Sequence, residues 1–138
     1  MPDHESFPVE VLTPEGEVFA EDVQMVSTKT TIGSIGVLAH HAPLLAMLDP
    51  TELRLYRSDS DIVRLAQSEG YLQVGDNRAL ILVQEAHEPG SLDAADLRDR
   101  LRRAEHELDS AGEDTERRRV AEREKRRLEA FLRIAEGS

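Results

Sequence analysis

A chain of 138 residues with 39% hydrophobic and 33% charged side chains holds one modest core, as a single domain or a small domain with an appendage. Its 28 acidic and 17 basic residues leave a formal net charge of −11, which opposes binding to phosphate backbones and to a bare anionic membrane surface. No cysteine is present, which excludes disulfides, thiol nucleophiles and thiolate zinc sites together; residues 1–7 lack the pattern of a secretion signal, and no apolar run approaches the roughly 20 residues of a membrane-spanning helix.

In chain order, residues 9–13 predict a strand, and Pro14-Glu15-Gly16-Glu17 supplies the turn into a second run over 18–27. Val18, Ala20, Asp22 and Gln24 keep no clean face in that run, so a bulge or a shift between faces is expected within it. Further strands are predicted at 30–32, 35–38, 44–47, 52–57, 62–67, 70–74 and 79–83. Their shortness and close spacing favour an antiparallel sandwich over repeated βαβ units. The run 79–83 is almost wholly apolar and is expected to be a central strand covered on both faces. Gly75-Asp76-Asn77 predicts a tight hairpin before it.

Near residue 90 the composition changes. Residues 1–90 hold 15 acids and 5 bases, net −10, whereas 91–138 hold 13 and 12, net −1. A Pro-Gly turn signal at Pro89-Gly90 marks the division, giving a β-sandwich over 1–88, a linker at 89–91 and a helical hairpin over 92–138. Ala94, Leu97, Leu101, Ala104 and Leu108 make one helical stripe, with Ser91 or Asp93 as its cap. After a break at Ser110-Ala111-Gly112, Ala121, Leu128, Leu132 and Ala135 make a second, reinforced by Val120 and Phe131, and Thr115 with Glu116 marks its start. Two thin stripes across one glycine predict an antiparallel αα-hairpin.

Sites for bond-making chemistry are poorly supported. Gly33-Ser34-Ile35-Gly36 is neither a dinucleotide fingerprint nor a P-loop, and its glycines serve turns or close backbone passage. His40 and His41 are adjacent and face opposite ways on regular extended backbone, which makes a poor metal pair. His41 reads either as a buried, hydrogen-bonded loop histidine or as a partner contact, and His40 as solvent-facing. Asp59 and Asp61 fit a solvated turn better than a catalytic pair. The clustered bases Arg117, Arg118, Arg119, Arg123, Arg126 and Arg127 form a solvated face or meet an acidic partner, and the scarcity of aromatics there argues against nucleic acid. No catalytic residue, cofactor or metal is expected, and the residues alone fit an interaction module.

Three motifs in order make that module specific. Val11-Leu12-Thr13-Pro14-Glu15-Gly16 with Val18-Phe19, then Gly33-Ser34-Ile35-Gly36-Val37-Leu38-Ala39-His40-His41-Ala42-Pro43-Leu44-Leu45, then Ser68-Glu69-Gly70-Tyr71-Leu72-Gln73-Val74 before Asp76-Asn77 are followed by the helical region. In this arrangement the chain resembles the epsilon subunit of bacterial F-type ATP synthase, called delta in mitochondria. The resemblance implies a non-catalytic central-stalk subunit on the cytoplasmic face of the cell membrane, binding the gamma subunit and the ring of c subunits. It places Gly33, Ser34, Ile35, Gly36 and His41 at that contact. It also implies helices that pack on the sandwich or extend toward the alpha/beta catalytic head, where the six arginines named above would act against ATP hydrolysis. Ser34 stands where the family often has an acid. The family's nucleotide element, apolar-Asp-x-x-Arg-Ala, survives only as Leu92-Asp93, which leaves Arg98 and Arg102 for a displaced anion site. A stand-alone adaptor, with one partner for each part, is the alternative.

Overall fold

The computed structural model describes residues 4–137; residues 1–3 of the N-terminal stretch and residue 138 lie outside it. The chain divides into two compact units, Met1–Glu88 and Pro89–Ser138. In the first, β1 (Phe7–Thr13), β2 (Gly16–Val23), β3 (Met25–Thr30), β4 (Gly33–Val37), β5 (Leu44–Leu48), β6 (Thr51–Tyr56), β7 (Ile62–Gln67), β8 (Gly70–Gly75), β9 (Arg78–Val83) and β10 (Ala86–His87) follow one another. Among the described residues they form one hydrogen-bonded path, β10-β7-β6-β3-β5-β8-β9-β1-β2, with β4 beside β3. β1 and β9 run parallel, and every other pair is antiparallel.

Only Thr30 and Leu48 join β3 to β5 in register, and at this narrow link the path folds into two layers. Val26, Leu53, Leu55 and Leu65 from one layer and Val9, Val11, Leu48, Leu72 and Ile81 from the other bury their side chains in a single cluster. Each such Leu or Ile contributes about 1.5–3 kcal/mol by leaving water. Beneath it lies a polar tie: the Thr28 hydroxyl donates to Gln67 Oε1 at 2.9 Å, and Gln67 Nε2 donates to the Asp49 carbonyl at 2.9 Å. Gln67 is fully buried, so these bonds replace the water its amide has lost.

Several boundaries differ from the sequence expectation. The run 18–27 is two strands, because the chain breaks at Gln24, whose N–H donates to the Tyr56 carbonyl at 2.7 Å. The bulge does occur: Val11 pairs with Phe19 but Leu12 with Glu17, leaving Val18 as the extra residue. Residues 30–32 are not a strand of their own, since Thr30 ends β3 and Thr31-Ile32 form a turn. β9 is central yet covered on one face only; Ala79, Ile81 and Val83 are buried while Leu82 is 41% exposed. An apolar run alone does not report how many faces have neighbours. β10 was too short for any periodic signal.

In the second unit a 3₁₀ turn (Pro89–Ser91) precedes α1 (Ala94–Ser110) and α2 (Thr115–Ala135). Asp93 caps α1, accepting from the N–H groups of Ala95 and Asp96 at 3.0 and 3.2 Å. Asp114, rather than Thr115, caps α2 by accepting from the Arg117 N–H at 3.1 Å. Gly112 turns the chain between them at φ +56°, a conformation most side chains resist. The helices run antiparallel, tied by Arg117–Glu107, Arg100–Glu124 and Arg98–Glu136 at 2.7, 3.6 and 2.9 Å.

Candidate functional site

Alternation sets the outward face of the layer β5-β8-β9-β1. Where Leu44 and Leu48 turn toward the core, Leu45 and Met47 turn away and are 72% and 57% exposed. Register then aligns Met47 with Tyr71, Tyr71 with Leu82 and Leu82 with Leu12, an apolar row across four strands. Tyr71 is half exposed and Leu12 half buried. A second row, Leu45–Gln73–Leu80–Glu10, lies beside it. The first row is apolar throughout, whereas the second ends on Glu10 and includes Gln73; on a chain with 28 acids, the first is an exposed apolar stripe of the kind partners cover.

One end of that surface adjoins the β3–β4 turn. Thr30 shapes the turn twice, its hydroxyl donating to the Gly33 carbonyl at 2.9 Å and accepting from the Ile32 N–H at 3.2 Å. Gly33 takes φ +141°, which a side chain would strain. The Thr31 N–H reaches the Met47 carbonyl at 3.0 Å, so turn and apolar row move as one body. Of the residues expected at a partner contact, Ser34 and Gly36 lie on the exposed side of β4, whereas Ile35 packs against the core. Sequence reasoning passed over Ile32, which the turn leaves 97% exposed.

The histidines lie at the other end of β5, beside the turn between β8 and β9. His40 takes φ +63°, donates its N–H to Asn77 Oδ1 at 2.7 Å and pairs through Nε2 with Glu5. Its ring is largely exposed, as expected. His41 is half buried rather than buried, with Nδ1 2.7 Å from the Ala42 carbonyl and its N–H donating to the Leu38 carbonyl at 3.2 Å. The two rings have separate partners, and no group of three His, Asp or Glu among the described residues is arranged around a metal-sized site. The Asp61 carbonyl accepts from the N–H groups of Arg57 and Ser58, which makes the 58–61 segment a turn.

The basic residues of α2 divide by helical angle. Arg119, Arg123 and Arg126 recur at i, i+4 and i+7 and share an exposed stripe. Arg117 and Arg118 turn elsewhere: Arg117 meets Glu107, and Arg118 Nη1 lies 3.4 Å from the carbonyls of Leu108 and Gly112. Arg127 is mostly buried beside Glu124 at 3.5 Å. Arg98 and Arg102 face Glu136 and Asp99, so the displaced anion site is occupied by the chain's own carboxylates, and Asp93 is committed to capping.

A β-sandwich with an exposed apolar row, followed by a charge-tied helical hairpin, is the architecture of an accessory subunit that works by contact. Residues 6–89 match the family model for the ATP synthase delta/epsilon chain β-sandwich domain. The ATP synthase epsilon chain of Halalkalibacterium halodurans is 35% identical over 127 residues, covering 92% of this chain and 95% of the relative. That of Priestia megaterium is 37% identical over 106 residues, covering 77% and 78%. A chain in the structure of the Euglena gracilis mitochondrial ATP synthase OSCP/F1/c-ring assembly shares the fold with TM-score 0.78 at 21% identity, covering 94% of this chain and 82% of its own length. The protein belongs to the ATP synthase delta/epsilon chain family and is a non-catalytic subunit of the central stalk. No helix among the described residues is long and apolar enough to cross a membrane.

Proposed function

We propose that the chain grips the gamma subunit through the row Leu45, Met47, Tyr71 and Leu82, with His41 at the β8–β9 end of β5, while the β3–β4 turn with Gly33, Ser34 and Gly36 meets the ring of c subunits. It thereby couples ion flow to ATP synthesis from a peripheral position on the cytoplasmic face of the bacterial membrane. The apolar row carries this reading, because water-exposed Leu, Met and Tyr in register across four strands gain most by being covered. The fold likeness to a chain of the Tetrahymena thermophila mitochondrial ATP synthase central stalk and c-ring, TM-score 0.62 at 17% identity, supports it.

The hairpin adds control. Arg119, Arg123 and Arg126 offer a basic stripe, and opening at Gly112 adds Arg117, Arg118 and Arg127 as α2 swings toward an acidic surface of the alpha/beta head. The test is reconstitution of the full chain with gamma, the c ring and the head. Met47→Asp with Tyr71→Asp is expected to weaken assembly, and changing Arg119, Arg123 and Arg126 to Ala to raise ATP hydrolysis at unchanged assembly. Undiminished assembly in the first variant refutes the docking face, and equal hydrolysis in the second refutes the inhibitory role.

A further inference from the structure

Residues 23–48 contain no Asp or Glu, although 28 of the 138 residues are acidic. Lys29 is the one Lys or Arg in that span, and it pairs across the hairpin with Ser34, both exposed. At the tip between those strands stands Ile32, 97% exposed. A single apolar residue on a surface needs no explanation by itself. Here it sits on a turn already locked by Thr30 at both ends and tied to β5 at two points, Thr31 N–H to the Met47 carbonyl and Asp49 N–H to the Lys29 carbonyl, each 3.0 Å. Such a tip loses little conformational freedom when it docks, so its burial is returned almost wholly as affinity.

We infer that Ile32 is the anchor of this turn, inserting into an uncharged apolar socket on the ring-side partner whose rim is acidic toward Lys29. The inference rests on the proposed meeting of the turn with the c ring and names the chemistry of that contact. The hairpin carries no carboxylate to hold a partner's cation, so the ion pairing open to it is through Lys29 at the rim, and the centre of the contact is left to Ile32. Elsewhere the net charge of −11 repels an acidic partner, and the acid-free span is where that repulsion is weakest. Asp49, whose N–H reaches the Lys29 carbonyl, is the acid that follows the span, so the protruding aliphatic tip is the apolar centre of the contact and Asp49 and Lys29 belong to its rim.

The experiment uses the full chain and two immobilised probes, isolated gamma and the detergent-solubilised gamma–c-ring assembly of the same synthase, at about 50 and about 500 mM salt, between which the screening length falls about threefold. Wild type is expected to bind the assembly more tightly than gamma alone, with little salt dependence. Ile32→Asp should weaken binding to the assembly at least about tenfold and to gamma by less than about twofold. Ile32→Val, which removes one methylene, should cost about fourfold on the assembly. Thermal unfolding of both variants should match wild type, because the side chain touches little of its own protein. If the ring adds nothing to wild-type affinity, the meeting of turn and ring is itself wrong and the anchor falls with it. If the ring adds affinity that Ile32→Asp retains, or that salt abolishes, the meeting stands and the apolar anchor is overturned.

Discussion

Arg117 of α2 directs both Nε and Nη2 at the same Glu107 oxygen of α1, at 2.9 and 2.7 Å. On a single continuous helix the two residues would stand about 15 Å apart, so this contact exists only while the helices are folded back. Both side chains are about half exposed, which limits the pair to roughly 0.2–1 kcal/mol. That is the scale a reversible hairpin requires, since a two-state element is switchable only when its states differ by a few kcal/mol.

Spin labels at Ala95 and Arg133 should therefore report a predominantly short distance in wild type. Arg117→Glu should increase the open fraction several-fold, because it replaces an attraction by a repulsion between carboxylates. Combining it with Glu107→Arg should restore the short distance, and raising the salt should open wild type slightly. An unchanged distance distribution in Arg117→Glu would show that the hairpin is held by its apolar stripe alone.

A second prediction concerns Gly70, where β8 passes β9. A Cβ at this position would land on the Leu82 carbonyl, and backbone cannot step aside as a flexible side chain does. Gly70→Ala is expected to cost more than the roughly 1–3 kcal/mol of ordinary overpacking in urea unfolding. Gly75→Ala, with nothing within 4 Å of its Cβ, should stay within about 0.5 kcal/mol of wild type. Equal unfolding midpoints for the two variants would mean that the strands separate freely there.

Elements whose signal is local were legible. β7 (Ile62–Gln67) stands where its apolar run and flanking polar residues put it, and Asp93 caps α1 because a carboxylate before an amphipathic run has four orphan N–H groups to meet. What depends on neighbours was not. Ile32 in Thr31-Ile32-Gly33 reads as a strand residue until Thr30 and Gly33 are seen to pair and leave it on a turn. Ile35, next to Gly36, seemed equally available for contact, yet alternation along β4 puts it on the same side as the buried Val37. The six clustered arginines between 117 and 127 of α2 looked like one basic set by composition. Helical angle and the position of α1 divide them, and only the angle could be read from the chain. The acid-free span over 23–48 was visible in the chain, but not that Lys29, Ile32 and Ser34 of it stand exposed together at one turn.

The buried amide of Gln67 gives a third prediction. Replacing it with Leu keeps the volume but leaves the Thr28 hydroxyl and the Asp49 carbonyl without their 2.9 Å partners in the layer's interior. The cost should be about 1–3 kcal/mol by chemical denaturation, from polar groups stripped of water and given nothing in return. Adding Thr28→Val, which removes the orphaned hydroxyl, should recover part of that loss. A stable single variant would mean that water replaces the amide.

The fourth prediction separates backbone strain from a hydrogen bond at one residue. Asp76 and Asn77 make the two-residue turn between β8 and β9 with φ +50° and +56°, and Asn77 Oδ1 also accepts the His40 N–H at 2.7 Å. Asn77→Gly accepts the left-handed conformation and loses only the bond, a cost of about 0.5–1.5 kcal/mol. Asn77→Ala loses the bond and keeps a Cβ in that conformation without the polar side chain that eases it, which should place it about 1–2 kcal/mol below Asn77→Gly. Amide exchange at His40 should quicken in both variants, whereas the unfolding midpoint should fall further in Asn77→Ala. Equal midpoints would deny the strain, and a His40 amide still protected in both would deny the bond that ties this turn to the loop ahead of the docking strand.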